Sequence, residues 1–470
     1  MRLSAPDSRL LARCADRRAR LAAHLARAGG GVAIVPTAPE VMRNRDADYP
    51  FRHDSYFYYL TGFTEPQAVL LLEVDPDGAS HSMLFCRPKD AEREIWDGLR
   101  WGPEAAREAF GVDAAQDIGG LDAAAASALA DRAGVWWPFA VHDGFGARVE
   151  GWLEAVRAQA RGGRRAPGAQ FDVCAVLDDM RLFKDEEELA VMRGAAVISA
   201  DAHRRAMTAC ARAQAAPPPQ GLREYHLEAE LLWAFRHGGA QAPAYGSIVA
   251  AGANACILHY RAGDAPLRPD TLCLIDAACE LDGYASDITR TFPVDGRFTG
   301  ARRALYDIVL EAQLAAIEAT RAGARFNDPH DAALRVLARG LLDTGLVRRD
   351  AAPDVDAVLE TGAYKRFYMH RTSHWIGMDV HDCGDYAEPG EATLILPDGG
   401  RRPAQRVLRP GMALTIEPGL YVRAADDLPP AFHDIGIRIE DDVIVREGEC
   451  EILTSGAPKS VADIEDLMRA

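Results

Sequence analysis

Several features are missing from this 470-residue sequence, and each absence narrows the field. No two of its nine cysteines stand at CxxC spacing; they are scattered at 14, 86, 174, 210, 256, 273, 279, 383 and 450. An odd, dispersed set argues against a disulfide framework and predicts reduced thiols in a cytoplasmic protein. No apolar run reaches membrane-span length, so no membrane partner is expected. Basic charge is in deficit: 53 Lys and Arg face 70 Asp and Glu, for a net charge of −17. That balance argues against nucleic acid and against anionic membrane surfaces. The N-terminal stretch MRLSAPDSRLLARCADRRARLAAHLARAGGG lacks the uninterrupted apolar region of a secretory signal. Asp7 and Asp16 argue against a mitochondrial transit peptide. The stretch reads as a surface amphipathic helix stopped by Gly29, Gly30 and Gly31. There is no short-period repeat and no low-complexity tract beyond Ala-rich helices.

What is present describes a globular chain of two domains. Hydrophobic residues make up 48% and charged residues 26%, and 470 residues exceed one ordinary core. VAIVP (32–36), VLLLEV (69–74) and SMLFC (82–86) read as strands, alternating with helical stretches such as PEAAREAFG and GWLEAVRAQARGG. This predicts an α/β N-terminal domain over 1–175, with ARGGRRAPGAQ (160–170) as the linker. The second domain, 176–470, opens on a long helix whose start carries Asp185, Glu186, Glu187 and Glu188, where the helix dipole favours negative charge. QAAPPPQG (214–221) separates it from the helix EYHLEAELLWAFRHGG. From 245 onward strands and helices mix in an α+β pattern.

The strongest chemistry is carried by carboxylates in this second domain. TLCLIDAACELDGYASDITRTFPV (271–294) holds two apolar runs around an Asp-Gly turn at 282–283, a good hairpin signal. With those two as the turn, Asp276 lies opposite Thr289, and Asp276 and Asp287 become diagonal neighbours on one face. A carboxylate ending a buried run needs a partner or a metal. In IGIRIEDDVIV (435–445), read as one strand, alternation puts Arg438 and Glu440 on the face opposite Ile437 and Ile439. In PGMALTIEPGLYV (410–422), Glu417 falls on the face opposite Met412, Leu414 and Ile416. Each residue alone is more often a salt-bridged or solvated acid; three such strands in one domain are harder to dismiss. Four carboxylates and an imidazole would make a hard, oxygen-rich site suited to Mn²⁺, Mg²⁺ or Co²⁺. Carboxylates can bridge, so a hydrolytic pair of ions is expected.

The histidines are harder to place. HRTSHWIGMDVHD (370–382) puts His370 and His374 four apart, inviting comparison with HExxH zinc proteases. The comparison fails because Arg371 stands where the catalytic Glu must be. The stretch reads instead as loop and then strand, with His381 near its end. Spacing alone predicts two ligands from it. His259, in CILHYR, ends another apolar run.

Taken together, NACILHYR, LIDAACELDGYASDITRTFPV, MHRTSHWIGMDVHD, LTIEPGLYV and GIGIRIEDDVIV resemble the motif set of the aminopeptidase P family. These are dimetal peptidases of the M24 type with a "pita-bread" catalytic domain. APEVMRNRDADYPFRHDSYFYYLTGFTEPQAVLLL (38–72) is similar to the family's N-terminal domain. The resemblance implies that Asp276, Asp287, His374, Glu417 and Glu440 are the metal ligands, with Asp287 and Glu440 bridging. It thus reduces the two ligands expected from 370–382 to His374 alone. It implies two divalent ions, Mn²⁺ foremost, with Zn²⁺, Co²⁺ or Mg²⁺ as alternatives. The implied substrate is a peptide with proline second, cleaved before the proline by a hydroxide held between the ions. Glu417 would take its proton, and His259, His370 and His381 would line the active site, positioning substrate and stabilising the tetrahedral intermediate. Arg438 matches an arginine behind the ligands; Tyr245 and Tyr421 match residues of the substrate pocket. Trp96 matches a tryptophan that a neighbouring subunit contributes, which implies a homodimer or homotetramer. The competing readings are an Xaa-Pro dipeptidase, a creatinase-like hydrolase and a non-catalytic peptide- or protein-binding relative. Three features depart from the family: Ser373 where many relatives carry Gly, the triple proline at 217–219, and the polar loop 393–407.

Overall fold

Six short strands of the N-terminal half pair into one mixed sheet, in the order Ala114–Asp117, Ser80–Cys86, Val69–Val74, Gly31–Pro36, Gly134–Trp137 and Ala169–Asp172. The computed structural model describes residues 6–215, 221–261, 263–395, 401–402 and 404–469. The triple proline 217–219, and residues 396–400 and 403 of the expected polar loop, lie outside these. The chain divides into two compact units, Met1–Met180 and Arg181–Ala470.

In the first unit the central strand Gly31–Pro36 is buried along its whole length. Its Val32 and Ile34 face the helices Leu121–Leu129 and Phe145–Arg157 in one apolar cluster. A strand covered on both faces reads as a continuous apolar run, which is why VAIVP lacks alternation. The N-terminal helix, Ser8–Arg27, does stop at the glycines, but it is no mere surface helix. Arg17 and Arg18 are buried and donate to the carbonyls of Tyr59 and Leu60. The Gly- and Arg-rich stretch 160–170 connects a helix to the last strand of this sheet, so it is a loop within the unit. Gly and Pro density marks a chain reversal; it does not distinguish a reversal from a boundary.

The second unit opens with the helix Glu186–Ala215, whose start is a reciprocal cap. Asp185 N–H donates to Glu188 Oε2 at 2.9 Å and Glu188 N–H to Asp185 Oδ1 at 2.8 Å. It packs with Glu224–His237, and Gly300–Ala319 packs with Asp328–Asp343. Between these helices lie small antiparallel sheets. Leu272–Asp276 pairs with Ile248–Ala251 and Thr289–Pro293; Ala413–Ile416 pairs with Asp441–Ile444; Gly419–Val422 pairs with Ile435–Arg438. Asp282 and Gly283, at φ 47° and 80°, form the two-residue turn that a hairpin of this twist requires. The expected register follows, with Asp276 opposite Thr289.

Two expectations of this unit fail. Residues 435–445 are two strands in two sheets, parting at Ile439 and Glu440. The stretch 370–382 contains no strand, only one bridge between Trp375 and Leu414. The reason is Asp382, which draws the loop inward: its carboxylate accepts from Arg181 at 2.6 Å and Lys184 at 3.0 Å, all three side chains 1% exposed. The backbone passes so close that a Cβ on Gly377 would meet Asp382 Oδ2 at 2.2 Å.

Removing the carboxylate of a buried ion cluster is expected to cost about 3–5 kcal/mol. Asp382→Ala should therefore lower the thermal unfolding midpoint by roughly 10 °C. A midpoint within about 2 °C of wild type, a shift expected from less than 1 kcal/mol, would contradict this role.

Candidate metal centre

Three pieces of backbone bring the acids of the second unit together. Asp276 ends the buried strand Leu272–Asp276. Asp287 returns beside it after the Asp-Gly turn, and the Tyr245 hydroxyl lies 2.6 Å from Asp276 Oδ1 and 2.5 Å from Asp287 Oδ1. Glu417 follows Ala413–Ile416, and its N–H donates to the Thr372 carbonyl at 2.8 Å. Glu440 sits where the chain changes sheets. Ligand atoms of Asp287, His374 and Glu440 all lie within 4.8 Å of one another. His374 Nε2 is 3.5 Å from Asp287 and 3.6 Å from Glu417. The Trp375 carbonyl accepts from His374 Nδ1 at 2.9 Å, so Nδ1 carries the proton and Nε2 faces the acids.

These residues line a pocket of about 640 Å³. Its wall holds Asp276, Asp287, His374, Glu417 and Glu440, with His259, His370, His381 and Arg438. Electrostatically the wall is overloaded with negative charge. Burial and repulsion from Asp276 raise the Asp287 carboxyl. Burial, with Asp287 and Glu417 nearby, pushes Glu440 well above its ordinary range. Burial pushes Glu417 up to about 7, against the pull of His374 and Arg438. Burial would lower His374, but the Asp287 hydrogen bond and the Glu417 charge outweigh it and raise it to about 9. Protons thus fill a place that positive charge should occupy. A hard donor set of carboxylate oxygens and one imidazole, facing inward and short of cations, fits divalent metal.

Behind the wall, hydrogen bonds fix the acids. Arg438 Nη2 donates to Asp276 Oδ2 at 2.6 Å, Nη1 to the Tyr421 hydroxyl at 2.9 Å, and Nε to Thr289 Oγ1 at 3.1 Å. Thr289 in turn donates to Glu440 Oε2 at 2.6 Å. Tyr421 donates to His370 Nε2 at 2.8 Å, while His370 Nδ1 donates to the Arg371 carbonyl at 2.8 Å. Burial and the Arg438 charge lower His370 to about 3, so it is neutral. His381 lies against His374, ring centroids 4.1 Å apart, and burial lowers it too. Asp442 accepts from the Asp287 N–H at 3.0 Å and the Ser286 hydroxyl at 2.8 Å.

Nine of the expected residues therefore share one pocket wall. Tyr245 bonds two of the acids. Tyr421 was expected at the substrate pocket, but it is 1% exposed and faces His370 and Arg438. A phenol that satisfies an arginine and an imidazole at once is drawn behind the surface. Trp96 belongs to the first unit, on the helix Arg93–Asp97. Sequence reasoning missed Thr289, although the hairpin register placed it opposite Asp276. It also missed Asp442, two residues after Glu440. Glu224 left no sequence signal. Its buried carboxylate accepts from Ala251 N–H, Asn254, Tyr260 and Gly263 N–H at 2.8–3.2 Å, and so fixes the segment that carries His259.

Comparison with known proteins agrees with this geometry. Residues 190–447 match the model of metallopeptidase family M24, and residues 14–136 match the aminopeptidase P N-terminal domain. The chain belongs to metallopeptidase family M24. It is 40% identical to an Xaa-Pro aminopeptidase of Escherichia coli over 441 residues, 94% of each chain. Among solved structures it resembles Pseudomonas aeruginosa aminopeptidase PepP, at 46% identity and TM-score 0.89, over 98% of each chain. It likewise resembles a Zn-substituted E. coli aminopeptidase P in complex with product, at 39% identity and TM-score 0.88, over 98% of each chain. The architecture is thus an α/β N-terminal domain followed by the α+β pita-bread domain of M24 enzymes, which use divalent metal.

A pH dependence follows from the raised groups. A carboxyl or imidazole raised in the folded state contributes stability that is complete below its unfolded value and lost as pH rises through the folded one. For Glu417 that window runs from 4.5 to about 7, and for His374 from 6.5 to about 9. Metal-free M24 chain should lose stability on both accounts as pH rises from about 5 to 9, while divalent metal replaces the protons. The gap in thermal midpoint between metal-loaded and metal-free protein should widen across that range. A gap that stays constant with pH would contradict the proton-filled site.

Proposed function

We propose that this chain is a dimetal Xaa-Pro aminopeptidase, which hydrolyses the bond between the N-terminal residue of a peptide and a proline in second position. The observation that carries the reading is the convergence of four carboxylates and the His374 imidazole on one pocket wall. Likeness to enzymes of that name along nearly the whole chain supports it. Asp276, Asp287, His374, Glu417 and Glu440 would hold two divalent ions, Mn²⁺ foremost, with Asp287 and Glu440 shared. Bound there, such ions supply a nucleophile from water at neutral pH and polarise the scissile carbonyl.

The chain's own residues supply binding and proton transfer. Glu417 accepts a proton from the attacking water at its carboxylate and passes it to the departing proline nitrogen. His259 and His381, on the pocket wall, hold the peptide and donate to the oxyanion as it develops. His370 has both ring nitrogens engaged, so in this reading it is a positioning residue that acts through Tyr421 and Arg438 on Asp276. Proline has no backbone N–H, so its recognition falls to pocket shape. Tyr245 holds Asp276 and Asp287 in one orientation. Ile95 and Trp96, 80% and 79% exposed, form an apolar pair that a second copy of the chain would cover. This supports a homodimer or homotetramer.

Assay of Xaa-Pro-Yaa and Xaa-Pro peptides with and without Mn²⁺ tests the reading. Release of the first residue from the tripeptides, stimulated by metal, is expected; preferred cleavage of the dipeptides would overturn it. Glu417→Gln should lower kcat by about 10²–10⁴, and near-wild-type turnover with metal bound would remove Glu417 as the base. Light scattering on the eluting protein should give a dimer or tetramer mass, and a monomer mass would count against subunit sharing at Trp96.

A further inference from the structure

The pocket wall carries one cation that neither the acids nor their supports use. Arg371 lines the pocket and is exposed. Its guanidinium has no hydrogen bond or ion pair among the described residues. Arg438, the other arginine on this wall, is fully engaged by Asp276, Tyr421 and Thr289.

The backbone beneath Arg371 is fixed, although its head group is free. Its carbonyl accepts from His370 Nδ1 at 2.8 Å. The neighbouring Thr372 hydroxyl lies 2.6 Å from the Tyr368 hydroxyl and 2.8 Å from His330 Nδ1. The Thr372 carbonyl accepts the Glu417 N–H at 2.8 Å. The guanidinium therefore extends from a rigid base that is bonded directly to the acid cluster's own backbone. A short peptide carries an ammonium at one end and a carboxylate at the other. The second needs a cation, and Arg371 places one on this wall. A guanidinium presents a planar fork of donors that matches a carboxylate in two parallel bonds.

We propose that Arg371 forms an anion subsite that selects peptides bearing a carboxylate just beyond the proline. The carboxylate is either the free C-terminus of a tripeptide or an acidic side chain at the third position. The inference rests on the aminopeptidase reading and extends it to a substrate class.

The test uses the full-length, Mn²⁺-loaded enzyme and four peptides: Ala-Pro-Ala, its C-terminal amide, and the amides of Ala-Pro-Asp and Ala-Pro-Asn. Wild type should favour a carboxylate-bearing peptide over its neutral partner by roughly tenfold in kcat/KM. A preference within the Ala pair assigns the terminal carboxylate, and one within the Asp/Asn pair assigns the side chain. That ratio should fall toward one in Arg371→Ala, be partly kept in Arg371→Lys, and shrink in wild type as salt is raised. Should Arg371→Ala fail to fold, the lysine variant and the salt series carry the same test. Cleavage of all four peptides with equal efficiency, or a ratio unchanged by the substitutions and by salt, overturns the subsite and leaves the aminopeptidase reading standing. No cleavage of any peptide overturns both.

Discussion

Gathering four carboxylates onto one buried wall costs free energy that only positive charge can return. Among the described residues Arg438 is the one arginine bonded to these carboxylates, and a single guanidinium cannot balance Asp276, Asp287, Glu417 and Glu440. Without metal, the remaining balance comes from protons on Glu417, Glu440 and His374. Much of the second unit can be understood as the scaffold that keeps this unfavourable cluster assembled.

That scaffold works by interrupting its own strands. Glu440 reaches the cluster because the chain leaves one sheet at Arg438 and enters another at Asp441. The break is held from behind. Arg290, fully buried, donates to Asp441 Oδ1 at 2.7 Å and to the Thr289 carbonyl at 2.9 Å. Asp441 also accepts from Gln313, Thr454 and Lys459, which satisfies a fully buried carboxylate. His374 is carried by a loop with no regular structure, which Asp382 ties to Arg181 and Lys184. A ligand on an irregular segment is as rigid as the bonds that pin it, and here those bonds are ionic and buried.

These interruptions mark the limit of what the sequence discloses. The hairpin at Asp282 and Gly283 was legible because Asp-Gly between apolar runs has one favoured geometry, and its register put Asp276 opposite Thr289 correctly. The first-half strands were legible because continuous apolar runs have few other uses. The split at Ile439 and Glu440 was not, because alternation through 435–445 is unbroken and the break is imposed by Arg290, which lies about 150 residues away in sequence. The loop 370–382 misled in the same way: its periodicity says nothing of Arg181 and Lys184. The acids themselves were visible as residues out of place in apolar strands. Their supports, Thr289, Asp442 and Glu224, look ordinary until tertiary contact gives each a partner.

On the proposed dimetal reading, the acid cluster exchanges its protons for two divalent ions. Calorimetric titration of metal-free protein with Mn²⁺ tests it most directly, repeated in buffers of different ionisation enthalpy so that released protons are counted. Saturation at two ions per chain, with protons released on binding at neutral pH, is the predicted result. Binding without proton release, or no saturable binding at all, would contradict the account.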